Sequence, residues 1–324
     1  IHDARPWADR TLARLDAEPE STLAAALSIP GALWTIGARF KRVLTPDIPL
    51  PDTIPSLGIG NLRVGGSGKT PVVEDLGSRL VAEGERVAVL TRGYRAAGGG
   101  DEPAWLEGAG LQVIADADRR RGYARAEAAG ATRALLDDAL QTRFRPRWTV
   151  AIVLDRDLVR PPRVLPAGPA REGASGLDRA DALLVRRESP DGSGGPQGSL
   201  GFRLAPGGLV DAAGSVVERP PGRALLLSGL ARPESFEADA AAIGLEIAGS
   251  WREADHWAPE AAARESLSSF AGRCGAEWVL VPEKTLRRAE ALEFDLPLVA
   301  LRSRVEWDEG VDPLEWLRQR GIGI

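Results

Sequence analysis

Residues 58–71 read Gly58-Ile59-Gly60-Asn61-Leu62-Arg63-Val64-Gly65-Gly66-Ser67-Gly68-Lys69-Thr70-Pro71, a glycine-rich run that closes on Gly-Lys-Thr. Residue types in this order suit phosphate. Around Gly65, Gly66, Ser67 and Gly68 the missing Cβ atoms let successive backbone N–H groups turn inward onto phosphate oxygens; Lys69 reaches the β and γ phosphates, and the Thr70 hydroxyl is a ligand for Mg²⁺. The general pattern G-x-x-x-x-G-K-[ST] has its first glycine at position 63, where this chain has Arg63, so the loop is a variant form. Asp137-Asp138, some 68 positions beyond Lys69, has the spacing and type of a second acidic element that holds Mg²⁺ directly or through water. The chain has two histidines. His2 lies in a terminus expected to fray, which leaves His256 as the available imidazole base, with Asp255 or a loop carboxylate such as Asp101 to orient it. Arg171-Glu172 offers a cation for phosphate and a carboxylate for metal or ribose.

A phosphate loop must follow a strand and open a helix. Both are expected: a short apolar run over 53–59, then a helix over 72–83 with Val72, Val73, Leu76 and Leu80 on one face. The run 86–90 reads as a buried parallel strand, and 98–103 as a loop. Further strands are expected at 111–115, 131–136 and 149–154, with a helix over 119–130 ended by its glycine. Alternating strands and helices imply a mostly parallel sheet covered on both faces, with ligands at the carboxyl ends of its strands. The loop and Asp137-Asp138 both fall at such ends.

The Pro- and Gly-rich stretch 189–201 marks a boundary, and 199–219 reads as a β-ribbon turning at Pro206-Gly207-Gly208. Strands over 224–227, 277–281 and 296–301 and helices over 233–243 and 259–271 form a second set. The expected fold is α/β: a P-loop-type, mostly parallel sheet domain with a second, smaller α/β domain joined by a β-ribbon linker. The expected divisions are 1–190, 191–222 and 223–324.

At 324 residues the chain suits two α/β domains, and 44% hydrophobic residues are enough for two cores. A net charge of −5 argues against a nucleic-acid partner, whose footprint is a basic stripe. A single cysteine, Cys274, excludes an intrachain disulfide and fits a reducing compartment. Methionine is absent, so Ile1 is not read as the native start, and Asp3, Asp9, Asp16, Glu18 and Glu20 argue against a secretory signal. No stretch reaches the ~18–20 apolar residues of a spanning helix. The nearest, 23–38, is interrupted by Pro30 and Gly31 and runs into Arg39, Lys41 and Arg42. It reads either as a helix lying in a membrane interface or as one packed on the protein's own core.

Together these pieces resemble one family, the tetraacyldisaccharide 4'-kinases, which are the lipid A 4'-kinases of Gram-negative bacteria. Its Gly-Asn-x-x-x-Gly-Gly-[Ser/Thr]-Gly-Lys-Thr-Pro is met at 60–71, and it too lacks the first Walker glycine. Arg92-Gly93-Tyr94, the Gly-Asp-Glu-Pro of 100–103, the Leu-Pro-Ala-Gly-Pro-x-Arg-Glu of 165–172 and Asp255-His256 follow in family order. The family's Gly-Ile-Ala-x-Pro-x-x-Phe appears at 229–236. Three departures stand out: Ala139 for the glycine of Asp-Asp-Gly-x-Gln, Trp257 for the second histidine of Asp-His-His, and Pro282-Glu283-Lys284-Thr285 for Thr-Glu-Lys-Asp.

The resemblance implies transfer of the ATP γ-phosphoryl group to the 4'-hydroxyl of a tetraacylated glucosamine disaccharide 1-phosphate. It also implies nucleotide binding by Gly65–Thr70, Mg²⁺ on Thr70 with Asp138 and Asp137, and His256 as base oriented by Asp101. Arg171, Glu172 and Tyr94 complete the site. A lipid acceptor implies a peripheral protein at the cytoplasmic face of the inner membrane, expected as a monomer, and favours the interfacial reading of 23–42. The alternatives are a P-loop protein with another substrate and a nucleotide-binding protein without turnover. No Asn-Lys-x-Asp element argues for guanine.

Overall fold

The computed structural model describes residues 1–92, 101–188, 195–254, 257 and 261–324, with the side chains of 39, 41, 43, 101–104 and 261–263 outside that description. The chain forms two compact units, one of residues 14–204 with 305–324, the other of 1–13 with 205–304. Both are discontinuous, unlike the contiguous blocks expected from sequence. Strands Leu200–Val210 and Leu298–Trp307 each run from one unit into the other.

The larger unit holds a parallel sheet whose strands lie in the order Gln112–Ala115, Val87–Thr91, Arg133–Asp137, Ser56–Asn61, Trp148–Leu154, Ala182–Arg186 and the start of Leu200–Val210. Every residue of Ser56–Asn61 is buried, as a central parallel strand covered on both faces requires. The faces alternate with period two. Leu57, Ile59 and Leu135 pack with Val72, Val73, Leu76 and Leu80 of the helix Lys69–Ala82, while Leu136 and Leu90 pack with Tyr123 of the helix Arg119–Ala128. Each such fully buried aliphatic side chain contributes roughly 1.5–3 kcal/mol. The C-terminal helix Pro313–Gln319 returns Leu314, Trp316 and Leu317 to the first of these clusters. The register Ile59↔Asp137 and Asn61↔Ile152 brings the glycine loop and the acidic pair to the same carboxyl end.

The smaller unit has its own parallel strands, in the order His2–Asp3, Ile247–Arg252, Ala224–Ser228, Trp278–Pro282 and Leu298–Trp307. His2 is not frayed: it pairs with Trp251 and stacks on its ring at 3.8 Å between centroids. The ribbon turns later than expected. Leu200–Val210 runs unbroken through Pro206-Gly207-Gly208, and the reversal comes at 211–215, where the Asp211 carboxylate accepts from the Ala213 and Ser215 amides. That local acceptor fixes the turn, and Val217 then pairs back onto Leu209.

The apolar N-terminal stretch is helical over Thr22–Ala26 and Ser28–Leu44. Pro30 does not interrupt the second helix because it sits in the first turn, where its missing N–H has no intrahelical partner to lose. Gly31 lets the helix lie close on the segment at 164–167; a Cβ there would stand 3.1 Å from the Val164 carbonyl. Ile29, Leu33, Ile36, Phe40 and Leu44 recur at helical spacing and are 64–75% exposed. The stripe is thus not packed on the protein's own core. No helix among the described residues is long and apolar enough to cross a membrane.

Candidate active site at the phosphate loop

The strand Ser56–Asn61 delivers the chain into the loop, and Gly65, Gly66 and Gly68 all have positive φ (67°, 67° and 87°), the conformation that only glycine adopts without strain. Gly68 is the N-cap of the helix Lys69–Ala82, so the loop ends on a helix N-terminus that favours anions. Arg186, at the end of its strand, donates to the Gly66 carbonyl at 2.7 Å and holds the outer side of the loop. The buried Ser67 hydroxyl and the Asn61 amide nitrogen have no hydrogen-bond partner among the described residues, as donors awaiting an oxyanion would be.

Lys69 donates to Asn61 Oδ1 at 3.0 Å and lies 3.6 Å from Asp138. Asp138 sits at φ 55°, a left-handed position that aspartate tolerates better than most residues. Arg171 Nη1 reaches both its oxygens, at 2.8 and 2.9 Å. Burial pushes the Asp138 carboxyl up, but Lys69 and Arg171 outweigh it and hold the group below its ordinary range. Arg171 also donates to Gln141, which in turn donates to the Asn61 carbonyl and to Glu172. Glu172 takes Arg179, and Arg42 of the apolar helix lies 3.8 Å away. Trp34 of that helix donates to the Arg171 carbonyl at 3.1 Å. A cavity of about 630 Å³ opens here, lined by Leu33, Trp34, Arg42, Arg143, Arg171 and Glu172 among others.

The structure therefore brings together the glycine loop, Lys69, Asp138, Arg171 and Glu172. Thr70 follows Lys69 in the first turn of the loop helix, and the largely buried Asp137 precedes Asp138. Thr70, Asp137 and Asp138 offer hard oxygen donors of the kind Mg²⁺ takes, completed by phosphate and water rather than by an all-protein cage. Asp101 opens the helix Asp101–Gly108, where a loop was expected; its side chain, Tyr94 and His256 lie outside the described residues.

Sequence reading missed Arg119. It is 3% exposed and donates to the Asp137 carbonyl at 2.9 Å, bracing the acidic turn from beneath. Burial lowers its guanidinium to about 10. Its only sequence signal is the preceding Asp118, which caps the helix Arg119–Ala128.

The three departures from the family pattern have structural tasks. Ala139 needs no positive φ, since Asp138 takes the left-handed position, and its amide donates to the Ile59 carbonyl. Trp257 is buried in the core of the smaller unit, in a space that Gly229 leaves open; a Cβ at 229 would stand 2.3 Å from the indole. Thr285 donates to the Pro282 carbonyl within its own turn. Gly60 is equally constrained, because a Cβ would fall 2.5 Å from Leu140 Cβ. Gly60→Ala is expected to displace the turn carrying Asp138 and Gln141. The cost should be about 1–3 kcal/mol of stability in denaturant titration and about 10- to 100-fold in kcat/KM.

A parallel sheet with a glycine loop between its central strand and a helix, and an acidic residue at the end of the neighbouring strand, defines a P-loop nucleotide-binding α/β protein. A family model for tetraacyldisaccharide-1-P 4'-kinase matches residues 24–320, and the chain belongs to that family. The tetraacyldisaccharide 4'-kinase of Rhodospirillum centenum is 34% identical over 309 residues, covering 89% of each chain. That of Anaeromyxobacter sp. (strain K) is 33% identical over 296 residues, covering 79% of this chain and 77% of the relative. In fold, the chain is similar to a crystal structure of LpxK from Aquifex aeolicus, an "apo" form in complex with ATP, with a TM-score of 0.69 at 22% identity over 93% of this chain and 98% of that one.

Proposed function

We infer that the chain transfers the γ-phosphoryl group of ATP to the 4'-hydroxyl of a tetraacylated glucosamine disaccharide 1-phosphate, a step of lipid A synthesis. One observation carries this reading beyond the family name: Arg171 lines a cavity walled by a helix with an exposed apolar stripe, and it pairs with Asp138, which lies 3.6 Å from the phosphate-loop lysine. Donor and lipid acceptor can then meet within the larger unit. The loop amides and Lys69 hold the phosphates, and Arg171 orients Asp138. Mg²⁺, held by Thr70 with Asp138 and Asp137, would neutralise charge on the β and γ oxygens. The cationic Arg42, Arg143 and Arg171 on the cavity wall suit a phosphorylated sugar, with Glu172 setting the direction of Arg42.

His256, oriented by Asp101, is the proposed base for the acceptor hydroxyl, with Tyr94 beside the site. The exposed stripe of Ser28–Leu44 would rest in the cytoplasmic face of the inner membrane, keeping the acyl chains in lipid while the sugar enters the cavity. The protein would act as a peripheral monomer.

The test is turnover of the tetraacyl disaccharide 1-phosphate in mixed micelles with ATP and Mg²⁺. His256→Ala should lower kcat by about 10²- to 10⁴-fold with little change in KM for ATP, and chelation of Mg²⁺ should stop the reaction. Wild-type kcat in His256→Ala would remove the histidine from the mechanism.

A further inference from the structure

Arg63 stands where the general Walker pattern has a glycine, yet it is only 5% exposed and fully engaged. Its Nη1 donates to Asp157 Oδ1 at 2.7 Å, and its Nη2 is ion-paired with Asp16, in the last turn of the helix Trp7–Ala17. Asp16 also takes Arg156 at 2.7 Å, and Arg156 pairs with Glu188 at 3.1 Å. The backbone around Arg63 is held too: Arg63 bridges Ala170, and the Val64 amide donates to the Pro169 carbonyl at 2.8 Å. Two residues on begins the left-handed glycine pair, which has no side chains of its own to fix it.

We propose that Arg63 is a positioning residue of the phosphate loop: gripped by Asp16 and Asp157, it fixes the chain at the point where the glycine turn begins and so sets nucleotide affinity. This rests on the reading of the loop as the ATP site. A flexible turn is placed by its ends. The far end is the helix Lys69–Ala82, and the near end is Arg63. A buried ionic cluster is a weak source of stability but a strong source of geometric specificity, because removing one member leaves its partners buried and uncompensated. Arg63 answers two carboxylates with one planar fork, which a lysine ammonium cannot reproduce. The same cluster makes Asp16, at the end of the helix Trp7–Ala17, part of the loop's support.

The experiment compares wild type, Arg63→Ala, Arg63→Lys and Asp16→Asn by ATP titration calorimetry, steady-state kinetics and melting temperature. Arg63→Ala is expected to weaken ATP binding and raise KM for ATP about 10- to 100-fold, with kcat at saturating ATP changed much less. Arg63→Lys should recover part of the affinity. Asp16→Asn should weaken ATP in the same direction and add little when combined with Arg63→Ala, since both act through one cluster. Should Arg63→Ala fail to fold, Asp16→Asn and Arg63→Lys carry the same readout. Wild-type ATP affinity in the folded variants, or a fall in melting temperature and kcat with KM unchanged, would overturn the proposal. Failure of the wild type itself to bind ATP would overturn the reading of the loop instead.

Discussion

Lys69→Ala should lower kcat/KM by about 10³-fold or more, through loss of a preorganised cation aimed at the transferring phosphoryl group. Lys69 occupies the first position of the loop helix, and its ammonium lies between Asn61 Oδ1 and Asp138. Its ammonium would supply a point charge to the γ phosphate, and arginine should not substitute, because its broad fork does not fit a narrow phosphate cradle. Steady-state kinetics on the lipid acceptor measures the effect; activity within a few-fold of wild type would remove the loop from the reaction. A second consequence is electrostatic. Asp138 is held below the ordinary carboxylate range, so its contribution to stability is present above the unfolded aspartate pKa and is lost as pH falls through the lower folded value. Without Lys69 the folded value rises toward the unfolded one, so Asp138 should contribute less stability at neutral pH and lose less of it on acidification than in wild type.

Ile36→Glu with Phe40→Glu should abolish flotation with phospholipid vesicles while leaving ATP binding intact. Both side chains are 64% exposed, lie on the stripe of the helix Ser28–Leu44, and do not line the cavity. Burying an Ile or Phe in an apolar phase is worth roughly 1.5–3 kcal/mol, so replacing two of them with carboxylates should weaken partitioning at least ~10²-fold. Turnover on the long-chain acceptor in vesicles should fall with binding, whereas turnover in detergent micelles should persist. Unchanged flotation would discard the interfacial role of this helix.

The donor half of the site was legible because its chemistry is local. A glycine loop announces its backbone conformation, and Lys-Thr follows directly. The acidic pair was legible from its place at the end of an apolar run, and Arg171-Glu172 from the family pattern. The web that holds these groups was not, because it is built from contacts far apart in sequence: Gln141 on the Asn61 carbonyl, Arg119 on the Asp137 carbonyl, Trp34 on the Arg171 carbonyl. No periodicity or spacing encodes such pairings.

The same limit applies to the fold. The strands flanking the phosphate loop were read to within a few residues. The strand Ile247–Arg252 was missed because Gly249 and Ser250 break its β pattern. Gly249 is there because Cys274 and Phe270 pack over it; a Cβ would stand 2.9 Å from the sulfur. The compact units differ from contiguous blocks at both ends of the chain, where 1–13 and 305–324 each join the unit distant in sequence. Asp312 caps the helix Pro313–Gln319 and proline follows it, which are readable start signals, but where that helix docks is a tertiary fact.

The most direct measurement is mass spectrometry of a tetraacylated glucosamine disaccharide 1-phosphate after incubation with the full chain, ATP and Mg²⁺, with the modified oxygen located by fragmentation. A gain of one phosphoryl group on the 4'-oxygen, with one ADP formed per lipid, is the expected result. ATP bound or hydrolysed while the lipid mass stays unchanged would contradict the kinase assignment, and phosphate on a different hydroxyl would contradict the acceptor.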